Sequence, residues 1–175
     1  MTIKQEVIYV LIVYIVVQVT SKVPVVCHKK TYNEWNVDLH HRFDEVSSFD
    51  CAASNCGGQC VALVKCACGA PYTGYWSPGL NVAAYCQQRQ GYIELGTAIA
   101  TFEWGTYNNR WSDHTAVFLG CTQNGFHVIE QACEFGTRFV EYTASSSYYH
   151  RFSVVLTDPD QLYPGHHCSW RYTGC

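Results

Sequence analysis

The sequence predicts an α+β domain in which N-terminal helices pack on an antiparallel sheet of five to six strands. Apolar residues recur at helical spacing directly after Gln59, which indicates an amphipathic helix. From residue 97 onward, five segments alternate between apolar and polar residues with period two, and short turns separate them. Helices followed by a run of strands are typical of a fold whose helices cover one face of the sheet.

The first helix is predicted at residues 60–68, where Gly69-Ala70-Pro71 ends it. A turn at Trp76-Ser77-Pro78-Gly79 leads to a short second helix over Val82–Cys86. Asn124-Gly125 is the strongest turn signal in the second half and predicts a hairpin there. The predicted strands span residues 97–102, 114–119, 126–131, 137–142 and 151–156.

Length and composition favour one globular domain. The chain has 175 residues, of which 48% are hydrophobic and 14% charged, so it can bury a sizeable core. The net charge of −3 and the absence of a basic run argue against a nucleic-acid partner. Thirteen tyrosines and five tryptophans are suited to lining a groove for a polar, carbohydrate-bearing ligand.

Residues 1–21 are predicted to be a secretory signal peptide. Lys4 lies in a short polar start, an apolar run covers Val7–Val17, and Val19-Thr20-Ser21 offers a cleavage site. An uncleaved membrane anchor is the alternative, although the run is short for a spanning helix and no second one follows. We therefore expect a secreted, extracellular protein that does not contact a membrane once the signal is removed.

Eleven cysteines follow this segment, and export of a chain with so many cysteines implies disulfides. Because the number is odd, at least one thiol is left over. Cys27, with Cys51 as a second candidate, is expected to tie down an N-terminal extension at 22–50. The main domain is assigned to 51–160, and a tail at 161–175 is expected to be closed by a disulfide. Cys66-x-Cys68 is too tight for the usual zinc ligands, so no metal is predicted.

Cys60 is the candidate nucleophile. Gly57 and Gly58 allow a sharp turn just before the cysteine, which opens the first predicted helix. A thiol at a helix N-terminus is stabilised as thiolate by the macrodipole, and the free N–H groups there can hold an oxyanion. The alternative interpretation is that Cys60 is one more half of a disulfide.

His114 is the candidate base, since a cysteine nucleophile needs a base and a third group that orients it. If the hairpin that follows is centred on Thr122 or just after it, His114 lies opposite Glu130 or Gln131. Either side chain is then close enough to hydrogen-bond the imidazole. The alternative is a core histidine beside an unrelated charge, but an acid within the apolar run Val128-Ile129 needs a partner.

A cysteine at a helix start, a histidine on a strand and an acid on the next strand follow one another in the chain. In this order the chain resembles a known family over Cys56 to Leu156. The chain resembles the papain-like amidohydrolases of the NlpC and CHAP superfamily, which cleave bacterial cell-wall peptides, and within it a small bacterial amidase family. The cysteine-rich extension and the tail depart from the bacterial pattern and suggest a secreted, domesticated amidase effector acquired from bacteria. The matching segments are 58–64, 76–79, 96–102, 114–118 and 128–131.

The resemblance implies the papain-like fold and a Cys60–His114–Glu130 triad acting on peptidoglycan. We expect Gln59, Trp76 and Gln131 to contact the substrate, although Gln59 is as well explained as a turn residue and Gln131 is the alternative orienting group. No cofactor is implied, and a monomer is expected. With Cys60 as the nucleophile, the other ten cysteines are expected to form five disulfides.

Two other functions stay open at this stage. A secreted, disulfide-rich binding protein on the same scaffold would hold Cys60 in a disulfide and use its aromatic residues for a ligand. A thiol amidohydrolase would keep the same chemistry and act on another amide, such as one in a host protein or a lipid. The scissile bond and the disulfide connectivity are not determined by the sequence.

Overall fold

The computed structural model describes residues 21–36, 41–45, 59–132, 135–162 and 168–172. The predicted signal peptide lies outside the described residues apart from residue 21, and Cys51 also lies outside them. The predicted disulfide in the tail also involves side chains outside the described set. Within the described part of the chain, no helix has the length and apolar character needed to cross a membrane.

Three helices and nine strands make up the regular structure of the described residues. In chain order they are β1 Val23–Pro24, α1 Tyr32–Asn36, β2 His41–Glu45, α2 Cys60–Cys68, β3 Ser77–Asn81, α3 Val82–Gln88, β4 Ala98–Thr101, β5 Thr115–Cys121, β6 Gly125–Ala132, β7 Phe135–Thr143, β8 Phe152–Thr157 and β9 Cys168–Tyr172.

Seven strands form one sheet, and all its strand pairs are antiparallel. The strand order is β1-β8-β4-β5-β6-β7, with β3 pairing to β8 outside that order. The five predicted strands correspond to β4 through β8, so the α+β class is confirmed. The predicted count of five to six strands is too low because β1 and β3 join the sheet. β2 and β9 form a separate two-stranded pair.

The turn predicted at Trp76–Gly79 is wrong for most of its length because Ser77–Asn81 is a strand. Ser77 pairs with Leu156 and Pro78 with Val155 of β8. Proline has no N–H to donate to a ladder, so it is tolerated where a strand lies at a sheet edge. The turn itself comes earlier, as a 3-10 turn at Thr73–Tyr75.

Helices α2 and α3 lie on opposite faces of the sheet, which corrects the prediction that the helices cover one face. Leu63 of α2 belongs to the core cluster that contains Ile129, whereas Val82 of α3 belongs to a second cluster that contains Val128. Neighbouring residues of a strand point to opposite faces, so the two clusters mark the two sides. A sheet buried on both sides needs apolar residues at consecutive positions, as in Ala98–Thr101, where every residue is buried.

Helix α2 has the limits that were predicted, Cys60–Cys68. Ala62, Leu63 and Val64 are fully buried, so the helix is held by packing against the sheet. Gly69 ends the helix in the left-handed conformation (φ 65°), and its N–H donates to the Lys65 carbonyl. The opposite end, where Cys60 lies, therefore has a fixed position relative to the sheet.

Two disulfides between described cysteines join the helices to the rest of the domain. Cys27–Cys68 connects the segment after β1 to the end of α2, and Cys86–Cys121 connects α3 to the end of β5. Trp35 of α1 is fully buried, and β1 pairs with β8. Residues predicted to form an N-terminal extension thus contribute to the same core as the sheet.

Candidate active site

Cys60 is the first residue of α2, and its thiol is half-buried. The residue before it, Gln59, has extended backbone (φ −61°, ψ 156°) and caps the helix without a side-chain bond. Gln131 of β6 donates from Nε2 to the Gln59 carbonyl at 3.0 Å, which ties the helix start to the sheet. Among the described cysteines Cys60 is the free one, whereas Cys66 is disulfide-bonded. Beyond Cys27–Cys68 and Cys86–Cys121, each of the expected pairs involves at least one cysteine side chain outside the described residues.

His114 directly precedes β5 in the sequence and lies beside Thr101, the last residue of β4. Its N–H donates to Thr101 Oγ1 at 2.8 Å, and its carbonyl accepts the Thr101 N–H at 2.9 Å. The imidazole packs against the rings of Tyr148 and Phe152, with centroid distances of 5.5 and 6.2 Å. Backbone bonds and ring packing together fix the position and tilt of the imidazole.

The imidazole meets the Glu130 carboxylate, with His114 Nε2 and Glu130 Oε2 2.6 Å apart. The predicted register is nevertheless wrong, because Glu130 pairs with Ala116 rather than with His114. Cys121 pairs with Phe126, so the hairpin is centred between residues 123 and 124 rather than on Thr122. The register then shifts by one residue between Phe118 and Gly120, so the pairing beside His114 differs by two residues from that of a hairpin centred on Thr122. An offset of two residues keeps the His114 and Glu130 side chains on the same face of the sheet. They therefore still meet, as diagonal rather than directly opposite neighbours.

Glu130 is 1% exposed, and two further side chains of β7 satisfy its carboxylate. Arg138 donates to Oε1 from Nε at 2.8 Å and from Nη2 at 2.6 Å. The Tyr142 hydroxyl donates to Oε2 at 2.5 Å. Sequence reasoning missed both partners, although Arg138 is the cross-strand neighbour of Glu130 in the β6–β7 hairpin. That opposite-charge pair was the available signal.

Charge is stabilised at all three groups. Burial raises the pKa of Glu130, but hydrogen bonds from His114, Tyr142 and Arg138 outweigh it and lower the pKa to about 2. Burial lowers the pKa of His114, but its hydrogen bonds with Cys60 and Glu130 raise it to about 9. Burial also raises the pKa of Cys60, and the hydrogen bond with His114 outweighs it, so the thiol pKa falls below its ordinary value. The arrangement therefore favours thiolate beside imidazolium.

His114 interacts with both Cys60 and Glu130. Because Nε2 contacts Glu130, Nδ1 is the ring nitrogen left for the thiol. The imidazole therefore lies between sulfur and carboxylate. A base held in this way can carry a proton to or from a group that reacts at the sulfur.

Tyr107 is a further neighbour of the thiol that the sequence did not single out. Its hydroxyl lies 3.8 Å from Cys60 Sγ, and its ring packs against Trp76 with centroids 5.2 Å apart. Burial and the adjacent Cys60 raise the pKa of this phenol well above its ordinary value, so the hydroxyl stays protonated. It is therefore a hydrogen-bond donor toward the sulfur. No periodic pattern marks the residue, because it lies in a loop.

The other residues expected to contact substrate are arranged differently. Trp76 is 4% exposed, and its Nε1–H donates to the Pro71 carbonyl at 3.0 Å. Gln131 is fully buried and its amide is used by the Gln59 carbonyl. Neither side chain presents a surface to a ligand in this structure, whereas Gln59 is partly exposed beside the thiol. Among the described residues, no three His, Cys, Asp or Glu side chains are grouped to hold a metal.

Comparison with known proteins gives one family and two relatives. The profile of the domesticated amidase effector 2 family matches residues 30–152, which include Cys60, His114 and Glu130. The domesticated amidase effector 2 of Ixodes scapularis is 41% identical over 76 residues, 42% of this chain. The match spans 49% of that relative, about half its length. The solved type 6 secretion amidase effector 2 (Tae2) is 22% identical and covers 79% of this chain and 98% of its own, with a TM-score of 0.48.

Proposed function

This chain belongs to the domesticated amidase effector 2 family, and on that premise we propose that it is a secreted cysteine amidase or endopeptidase that cleaves an amide bond in peptidoglycan stem peptides. The observation that best supports this proposal is the hydrogen-bonded series Cys60, His114 and Glu130, with a free thiol at its reactive end. We further propose a papain-like arrangement of the NlpC and CHAP type and an antibacterial role.

In the proposed reaction the Cys60 thiolate attacks the amide carbon. The carbonyl oxygen takes up negative charge, which backbone N–H groups of the first turn of α2, including that of Cys60, stabilise. His114 gives its proton to the leaving amine as the C–N bond breaks, and a thioester remains. Water then attacks the thioester, His114 accepts the proton of that water, and the sulfur leaves as thiolate. Every proton is moved by the chain's own side chains, so the proposal needs no metal or cofactor.

Glu130 is proposed to orient the imidazole and to stabilise its charged form. Arg138 and Tyr142 keep the carboxylate ionised and fixed, because both donate to its oxygens. Tyr107 is proposed as a positioning residue whose hydroxyl stabilises the thiolate sulfur. Trp76 and Gln131 contribute through Tyr107 and Gln59, which they hold in place.

The disulfides support the proposed extracellular compartment. Disulfides such as Cys27–Cys68 and Cys86–Cys121 persist in oxidising environments, which supports secretion. Residues 1–21 as a signal peptide, 51–160 as the amidase domain and a monomeric enzyme all stay proposals. In an oxidising environment most thiols form disulfides, so the free, half-buried thiol of Cys60 is unusual. A role as the nucleophile accounts for it.

Digestion of purified bacterial sacculi tests the proposal. We expect the protein to release stem-peptide fragments whose masses, measured by mass spectrometry, show hydrolysis of one amide bond. Iodoacetamide should stop the release because it alkylates an accessible thiolate, whereas chelators should have no effect. Intact sacculi together with cleavage of another amide would keep the chemistry and reject the substrate. Release that chelators block and iodoacetamide spares would reject the mechanism.

The pH profile of turnover should be bell-shaped. Activity is expected to fall on the acid side as the Cys60 thiolate is protonated, at a pH below the ordinary pKa of a thiol. It should fall on the alkaline side near pH 9, where His114 loses the proton that the leaving amine needs. The two limits belong to the coupled pair rather than to either residue alone. Measurement of kcat/KM from pH 4 to 10 checks this, and an alkaline limb near the ordinary histidine pKa would contradict it.

A further inference from the structure

The loop between β4 and β5, residues 102–113 and here called the aromatic loop, carries two tryptophans that face solvent. Trp104 is 95% exposed and Trp111 92%, the highest values among the large hydrophobic side chains of the described residues. Two exposed indole rings on one short loop leave a large apolar area in water, which is typical of a surface that another molecule covers. Nothing in the proposed chemistry uses either ring.

The backbone at Trp104 is unfavourable for a large side chain. Trp104 has φ 54° and Gly105 φ 79°, and Glu103 and Thr106 exchange two backbone hydrogen bonds of 3.0 and 3.1 Å across them. This left-handed pair forms a tight turn in which glycine or asparagine is the usual residue. A tryptophan here costs stability without adding packing, which points to a role in binding.

The rest of the aromatic loop is held rigidly. The Asp113 carboxylate accepts the N–H groups of Asn108 and Arg110 at 3.2 and 3.1 Å. Arg151 donates to the Ser112 carbonyl at 2.9 Å, and Arg110 pairs with Glu103 at 2.7 Å. Because the loop is already ordered, ligand binding does not have to order its backbone.

The aromatic loop also borders the candidate active site. It contains Tyr107, whose hydroxyl contacts Cys60, and it ends directly before His114. Trp104 and Trp111 are three and four residues from Tyr107, so their backbones lie within about 10 to 14 Å of it. Asn109 Nδ2 donates to Thr73 Oγ1 at 3.0 Å and joins this loop to a neighbouring turn. Tyr75 in that turn and Tyr72 directly before it have half-exposed rings.

We propose that Trp104 and Trp111 form a carbohydrate subsite that holds the glycan strand of peptidoglycan by stacking on its sugar rings. A pyranose has an apolar face of C–H groups, which suits an exposed indole, and hydroxyls that stay in water. The stem peptide is attached to the glycan, so a peptide that reaches Cys60 brings a sugar to within the reach of this loop. The inference rests on the proposed function and names where its substrate is held.

Charge argues against other occupants of the aromatic loop. It contains two acids, Glu103 and Asp113, against one base, Arg110, and that base is paired with Glu103. Single-stranded nucleic acids and anionic membranes both require unpaired positive charge beside the aromatic rings. A neutral, hydroxyl-rich polymer has no such requirement.

Binding to peptide-free glycan tests the proposal without any catalysis. Full-length protein carrying Cys60→Ala is titrated with glycan strands stripped of their peptides, and tryptophan fluorescence is recorded. We expect saturable binding that weakens about fivefold or more for each ring removed, in Trp104→Gly and Trp111→Ala. Glycine relaxes the left-handed backbone, so Trp104→Gly should not lower the melting temperature. Tyr92→Ala is the matched control, because Tyr92 is 76% exposed and lies before the opposite end of β4.

Absence of glycan binding, or binding that both tryptophan variants retain, would overturn the proposal, as would binding to anionic vesicles instead of glycan. A second measurement compares kcat/KM on disaccharide-linked stem peptide with that on free stem peptide. The kcat/KM for the disaccharide-linked peptide divided by that for the free peptide should fall in the tryptophan variants and stay unchanged in Tyr92→Ala. If neither substrate is cleaved, the proposed function fails while glycan binding remains measurable. If both are cleaved with an unchanged ratio, only the subsite fails.

Discussion

Cys60→Ala is expected to abolish peptidoglycan cleavage, with turnover reduced on the order of 10³-fold or more. Removal of the sulfur eliminates the nucleophile, and neither His114 nor the helix start can form the thioester in its place. The thiol is half-buried and outside the described disulfides, so the fold should be retained. Fragment release from sacculi measures the loss, and the melting temperature measures the fold.

Cys60→Ser tests whether the reaction needs a thiolate at this position. The hydroxyl is nearly isosteric but is not ionised beside His114, so we expect cleavage to stay near the alanine level. A Cys60→Ala variant that remains folded and cleaves sacculi at the wild-type rate would contradict the assignment. That result would mean that another residue of the protein is the nucleophile.

His114→Gln is expected to lower kcat by roughly 10²- to 10⁴-fold, the usual worth of a positioned general acid and base. Glutamine keeps a side chain that can reach Glu130 but carries no transferable proton. His127→Gln is the matched control, since His127 is exposed on β6 and pairs with Gly120. It should leave kcat within about twofold, as surface substitutions usually do.

Glu130→Gln should have a smaller effect than His114→Gln, because orientation contributes less than the proton transfer itself. The substitution leaves Arg138 and Tyr142 without their carboxylate, so the melting temperature is recorded beside kcat. A fully active His114→Gln variant, or a His127→Gln variant that loses activity, would contradict the assignment of the base.

Local signals predicted the elements that carry the candidate site. The apolar stripe and Gly69 fixed the limits of α2, and period-two alternation located β4 through β8. The sequence also contained a signal that went unused: Thr31 and Glu34 form a capping box at α1, with the Glu34 carboxylate accepting the Thr31 N–H at 2.7 Å. The contact between His114 and Glu130 was anticipated through an incorrect register, because the hairpin is centred between residues 123 and 124 and not on Thr122.

What the sequence could not supply depends on contacts between distant segments. Tyr107 reaches Cys60 only because the aromatic loop brings it beside the first residue of α2, and a loop has no periodicity from which to predict its direction. The two-sided burial of the sheet depends on where α3 packs, and short apolar runs are compatible with either arrangement. Pro78 looked like a turn residue because its pairing partner, Val155, lies far along the chain.

The ionisation of Cys60 tests the central claim most directly, since the proposed chemistry requires a thiolate paired with the His114 imidazolium. The rate of carbamidomethylation of Cys60 by iodoacetamide, followed by mass spectrometry from pH 4 to 10, reports the thiolate fraction. We predict a midpoint below the ordinary thiol value of 9.0 in the wild-type protein and a higher midpoint in His114→Gln. A wild-type midpoint at or above 9.0, or one that His114→Gln leaves unchanged, would contradict the account.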